Sequence, residues 1–385
     1  MKLNHPVLRK FAPALGVLAL SFAAVRLHAQ AFVQTNLVSD IPGLAARTDP
    51  NLVNPWGISF SGASPFWVSD AGTGKSTLYN SAGVPQALVV TIPGPGGGVP
   101  GVPTGQVFNT AAASGAFNGD TFLFASATGT ISGWRNALGT TAETLVNNFS
   151  TGAAYLGLAI GTTAGNSYLY AANFGNSRID VIPSAGAPAL AGSFSDPNLP
   201  AGYAPFNVQN IGNNLFVTYA LHGAGGQEET GLGKGLIDMY DLNGNLIRRF
   251  ASNGFLDAPW GLAIAPSSFG QFGGNLLVGN FGDGTINAFN LTTGGFMGTL
   301  RDVNGNPLVN EGLWGITFGN GGNGGNVNTL YLAAGIQGET HGLFASVTPV
   351  PEPATTGILA GVALVGLCAI TRFRRKNRSP SASAN

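Results

Sequence analysis

The chain is short of the groups that carry most protein chemistry. Of 385 residues, one is cysteine, four are histidine and only 9% are charged, against about 25% charged in an average soluble domain. The single thiol, Cys368, rules out an internal disulfide and any zinc site built from several cysteines. The 59 glycines would each weaken a helix, and the lysines and glutamates that favour one are scarce, so the composition disfavours a helical bundle. No Gly-x-Ser-x-Gly elbow, phosphate-binding loop or His-Glu-x-x-His pair occurs. What remains is 44% hydrophobic residues, ample for a core, broken up by glycine, asparagine and 23 prolines. That mixture suits many short strands joined by tight turns.

The formal net charge of 0 hides an uneven distribution. Nine of the 17 basic residues lie at the ends: Lys2, Arg9, Lys10 and Arg26, then Arg372, Arg374, Arg375, Lys376 and Arg378. All 17 acidic residues fall between Asp40 and Glu352, a stretch that keeps eight basic groups and a net charge of −9. Such a body repels phosphate backbones, which argues against nucleic acid as a partner.

The ends read as address labels. Residues 1–31 have a basic start, an apolar stretch from Phe11 to about Val25 and small residues around Ala29 and Ala31, the pattern of a secretory signal peptide; a retained membrane anchor is the alternative. At the other end Val350-Pro351-Glu352-Pro353 lies in a proline-rich linker over 349–353. An apolar segment follows over 354–371, then a basic tail over 372–385. The 17 residues from Ala354 to Ile370 would span roughly 25 Å as a helix, enough for a thin bilayer. Arg372, Arg374, Arg375 and Lys376 should hold that end in the cytoplasm and place the body outside. This tripartite tail resembles the PEP-CTERM sorting signal of Gram-negative bacteria that make extracellular polymer. The resemblance implies export across the inner membrane, transient anchoring by the C-terminal helix, an exosortase-type sorting enzyme as partner, and release to the cell surface or medium. A plain tail anchor is the simpler alternative.

The body repeats. Asn54-Pro55-Trp56-Gly57-Ile58 recurs as Ala258-Pro259-Trp260-Gly261-Leu262 and Gly312-Leu313-Trp314-Gly315-Ile316, with weaker copies around Gly105, Gly157 and Asn207. The marker positions 57, 105, 157, 207, 261 and 315 are spaced by 48, 52, 50, 54 and 54 residues. After each comes an aromatic or β-branched run such as Phe66-Trp67-Val68 or Leu276-Leu277-Val278, then a polar break; third strands such as Arg178 to Ile182 and Leu236 to Tyr240 follow. Four short strands per repeat, six times over, predict an all-β, six-bladed β-propeller over residues 32–348. A solenoid would leave sheet edges open at both ends. The early strand from Phe32 to Val38 is spare and should close the last blade.

This body resembles propellers of the NHL and SMP-30/gluconolactonase type. The run Asn36-Leu37-Val38-Ser39-Asp40 and then Asp49 to Gly57 is similar to the opening of the uncharacterised bacterial family TIGR03118, some members of which carry PEP-CTERM tails. An SMP-30-like site would bind Ca²⁺ or another divalent cation, although no matching Glu/Asn/Asn/Asp set is identified here.

Loops entering the first strand and loops joining the second strand to the third share one face of a propeller. From these loops His222, Glu228, Asp257, Glu311 and His341 are the candidate site at the channel mouth. The longest such loop, Ala220 to Gly235, holds His222, Glu228 and Glu229, and long loops on a rigid scaffold are where function gathers. Asn173 and Asn280, each opening an Asn-Phe-Gly turn, read first as turn residues, with metal ligation the alternative. Trp56, Trp260 and Trp314 are either core packing or an aromatic platform for sugars. Two functions follow: a non-catalytic binding or structural protein of an extracellular polysaccharide matrix, or a divalent-metal lactonase.

Overall fold

In the computed structural model, which describes residues 30–96 and 98–350, six sheets are arranged as the blades of a propeller. The innermost strands are Pro55–Ser59, Pro103–Phe108, Tyr155–Thr163, Tyr203–Ile211, Pro259–Ile264 and Leu313–Phe318. Each carries one of the six markers, as the repeat predicts.

The reason for the marker lies in packing between neighbouring inner strands. A Cβ on Gly57 would sit 2.5 Å from the Thr104 carbonyl oxygen, one on Gly105 2.5 Å from the Leu158 nitrogen, and one on Gly261 2.5 Å from the Trp314 oxygen. Only a bare backbone fits so close an approach. In the fourth blade Asn207 replaces glycine and ties the strand to the next blade by a hydrogen bond to Trp260 O (2.6 Å). At or beside each marker the pairing register slips, in all six blades. Such a bulge bends the strand and re-aims its side chains.

Core material is distributed in the same six-fold way. Six clusters fill the interfaces between successive blades: Trp67 with Phe122 and Trp134 between the first and second, for example, and Tyr170 with Val217 and Tyr240 between the third and fourth. A seventh cluster occupies the axis. The ring closes where Phe32–Ser39 pairs antiparallel with Leu343–Pro349, so the first strand of the body completes the last blade.

Outer strands depart from the expected four per blade. The third blade has three strands, Tyr155–Thr163, Asn166–Asn173 and Arg178–Pro183. The next segment contains Pro188, Pro197 and Pro200, and proline removes the donor that a ladder needs. The last blade instead gains Arg47–Thr48, parallel to Phe32–Ser39. Among the described residues no helix is long and apolar enough to cross a membrane. The signal peptide, apart from its last two residues, and everything after Val350, including the expected transmembrane helix over 354–371, lie outside the described residues.

Candidate functional site

The upper face is taken here as the end at which the chain enters its inner strands. There the side chains just before the markers turn to the axis. Trp56, Leu156, Phe206, Trp260 and Trp314 meet, joined by Phe174 from a strand-connecting loop, and all are buried. Trp56 and Trp314 stack with centroids 3.3 Å apart at 16°, Trp260 sets its ring edge-on to both, and Phe281 covers Trp314 at 4.1 Å. The cluster plugs the channel. The tryptophans are therefore core packing and offer no open platform at the upper face.

Asn54 anchors this plug. Its Oδ1 accepts from the indole N–H of both Trp56 (3.1 Å) and Trp314 (3.2 Å), while its Nδ2 donates to Glu339 Oε2 (2.8 Å). The backbone of Asn54 is left-handed, φ 46°, a conformation that asparagine tolerates better than most residues. Above the plug, Glu228 and Glu339 are both half-buried. Burial raises both carboxyls above the usual range; Glu339 adds repulsion to Glu228, and the Asn54 hydrogen bond offsets part of the rise at Glu339.

The five candidates are placed as follows. His222 ends the strand Asn214–His222, which runs further than its loop assignment, and Glu228–Glu229 folds back to pair with it. The imidazole lies 4.1 Å from the Phe174 ring, with Nε2 3.2 Å from Ser177 Oγ. Glu228 shares the mouth with Glu339. Asp257 accepts from Gly231 N (2.6 Å), and burial, then repulsion by Asp283, raises its pKa. Glu311 accepts from the backbone of Gln337 (3.2 Å) and Gly338 (2.8 Å). His341 Nδ1 lies 2.6 Å from Asp40 Oδ2 at the ring-closing seam. Asp257 and Glu311 are engaged in holding loops, and His341 in holding the seam.

No group of three or more His, Cys, Asp or Glu among the described residues could hold a metal ion. Asn173 serves its turn, accepting from Ala154 N and Asn176 N (both 3.1 Å), and Asn280 Nδ2 donates to Phe255 O (2.8 Å). Glu339 and Asn54, which the five candidates omit, are the residues that organise the mouth. They sit in the right loops, but nothing in the sequence pairs one asparagine with two indoles 258 residues apart.

Beneath the plug the channel continues as a cavity of about 530 Å³. Gln106, Asn207 and Trp260 stand on its wall near the plug, and exposed Thr110, Thr162 and Asn213 mark its lower opening. None of its lining side chains is ionisable.

No family model matches the chain. Two proteins of Acanthamoeba polyphaga mimivirus are similar to most of it. Uncharacterized protein R648 is 36% identical over 295 residues, covering 73% of this chain and 72% of the relative. Uncharacterized protein L690 is 33% identical over 300 residues, covering 73% and 77%. Among solved structures, a glucose dehydrogenase matches with a TM-score of 0.50 at 14% identity, covering 83% of this chain and 100% of that one. At that identity the likeness concerns the fold alone.

Proposed function

The chain belongs to the family of the mimivirus proteins R648 and L690, and from there we propose that it is a non-catalytic binding or structural propeller of an extracellular polymer matrix. The observation that carries this reading is the sealed upper end of the channel. Buried aromatic rings fill the axis where a propeller enzyme would need a reaction pocket, and three of the five candidate polar groups at the rim are committed to loops and the seam. Catalysis by acids, bases or a metal needs converging groups, and these three are tied to loops and seam instead.

Export and sorting belong to the same proposal. Leu343–Pro349 runs in the direction of the inner strand Leu313–Phe318, since each pairs antiparallel with Leu330–Ala334. Val350 therefore leaves at the lower face, where its N–H donates to Ala31 O (2.8 Å). A sorting tail attached there interrupts no blade. In this reading an exosortase processes the Val350 to Pro353 motif, the apolar segment anchors the chain transiently in the inner membrane, and the body passes to the surface or medium.

The test is expression of the full chain in an exosortase-bearing host that makes extracellular polymer. The released protein should cosediment with that polymer and hydrolyse no lactone, with or without Ca²⁺. Glu352→Ala should hold the chain at the membrane. Calcium-dependent lactone hydrolysis would overturn the binding reading, and unchanged release of the variant would overturn the sorting one.

A further inference from the structure

We propose that the cavity beneath the aromatic plug binds an uncharged, polyhydroxylated ligand: the end of a neutral saccharide chain. This rests on the binding reading above and gives it a site.

The shape comes first. The plug closes the upper end, and Thr110, Thr162 and Asn213 lie exposed at the lower one, so the channel is a blind pocket open on one side. Its volume of about 530 Å³ lies within the range of sites that enclose small ligands.

Charge comes second. In a body that carries −9 between Asp40 and Glu352, the cavity wall holds no ionisable side chain. An ion drawn into it would lose its hydration and meet no countercharge. A neutral ligand gives up only the hydration of its hydroxyls, a far smaller cost that hydrogen bonds to the wall offset.

Chemistry of the wall comes third. Amides of Gln209 and Asn210 and the hydroxyl of Thr317 share the wall with half-buried Ile58, Val107 and Ile160. A sugar presents the same mixture, hydroxyl groups around an apolar C–H face. Three wall residues also keep a buried polar atom without a partner: Ser59 Oγ, Gln106 Oε1 and Trp260 Nε1. Those residues are only 9%, 6% and 4% exposed. Leaving such atoms unpaired is costly. The indole can only donate, the amide oxygen can only accept, and the serine does either. A hydroxyl answers all three, whereas a carboxylate has no proton for Gln106 Oε1.

The experiment is calorimetric titration of the full chain with maltotriose, cellotriose and laminaritriose, and with trigalacturonate as the charged comparison. Two variants accompany it. Gln209→Trp fills the cavity at a half-buried position with no side-chain hydrogen bond, and Thr162→Trp obstructs the exposed opening. At least one neutral trisaccharide should bind saturably, trigalacturonate should not, and each variant should weaken binding by about tenfold or more. Equal binding of trigalacturonate overturns the proposal, as does unaltered affinity in the folded Thr162→Trp chain. If no trisaccharide binds while the polymer cosediments equally with wild type and both variants, the cavity proposal fails and the binding function stands. If neither trisaccharide nor polymer binds, both fail.

Discussion

At the residue scale, two of the eight basic groups of the body act as latches on buried carboxylates. Arg135 lies between Asp120 (2.7 Å) and Glu143 (2.5 Å), and Arg249 bridges Asp196 and Asp238. Asp120 and Asp238 have fully buried side chains, each with one oxygen unpartnered. Burial therefore outweighs the arginines and pushes both carboxyls up to about 6, from an ordinary value of 3.8. The native protein then holds protons that the unfolded chain has already released between about pH 4 and 6. Stability should fall as pH rises through that window, so lowering the pH from 7 to 5 should raise Tm. At lower pH the trend reverses, because hydrogen bonds from Asn118 and Arg135 to Glu143, and from the Asn306 backbone to Asp302, hold those carboxyls below the usual range. Scanning calorimetry across pH 3 to 8 checks this, with Asp238→Asn expected to flatten the rise. A Tm that is level or lower at pH 5 would contradict the assignment. None of these partnerships is legible in the sequence, where Asp196 and Arg249 stand 53 positions apart.

At the element scale, the inner strand is the legible unit, and the outer strand is not. Every inner strand meets the same constraint, two crowded neighbours around one axis, so the same short motif recurs. Outer strands meet one neighbour and vary freely: two residues at Val90–Thr91, four at Phe296–Thr299, none in the third blade. The motif's glycine can be tested apart from backbone strain, because Gly261 does not have a positive φ. Gly261→Ala would press its methyl against the Trp314 oxygen and should lower unfolding free energy by about 1–3 kcal/mol, the usual cost of overpacking. Gly62, with nothing within 4 Å of its missing Cβ and no positive φ, is the control; Gly62→Ala should be neutral or slightly stabilising. Urea denaturation measures both, and equal effects would mean that the marker glycines are there for flexibility alone. The candidate site was only partly legible for a related reason. Topology says which loops share a face, but whether a side chain turns inward is decided by distant partners, as when Asp40 takes His341.

At the scale of the whole molecule, stability depends on one seam. Phe32 is 1% exposed, with its ring 5.1 Å from Phe269 and 5.9 Å from Phe272, so the first strand is packed into the interface between the fifth and sixth blades. Leu37 and Val38, later in the same strand, fill the interface between the sixth blade and the first. One strand thus supplies core to two of the six interfaces. A linear array of repeats could lose a terminal unit and keep the rest, because each repeat contacts only its neighbours. A closed ring has no terminal unit, and opening it anywhere exposes two blade faces. Phe32→Ala should therefore cost about 3–5 kcal/mol, the range for deleting a buried phenylalanine. The loss should appear as one cooperative transition with an unchanged denaturant slope. Tryptophan fluorescence reports the axial plug through Trp56, Trp260 and Trp314 and the interface of the first two blades through Trp67 and Trp134, and far-ultraviolet circular dichroism reports all six sheets. Coincident curves from the two probes would show that the seam holds the whole ring; an early, partial transition seen by both probes and followed by a second would show the last blade, which carries Trp314, peeling away from a propeller that survives without it.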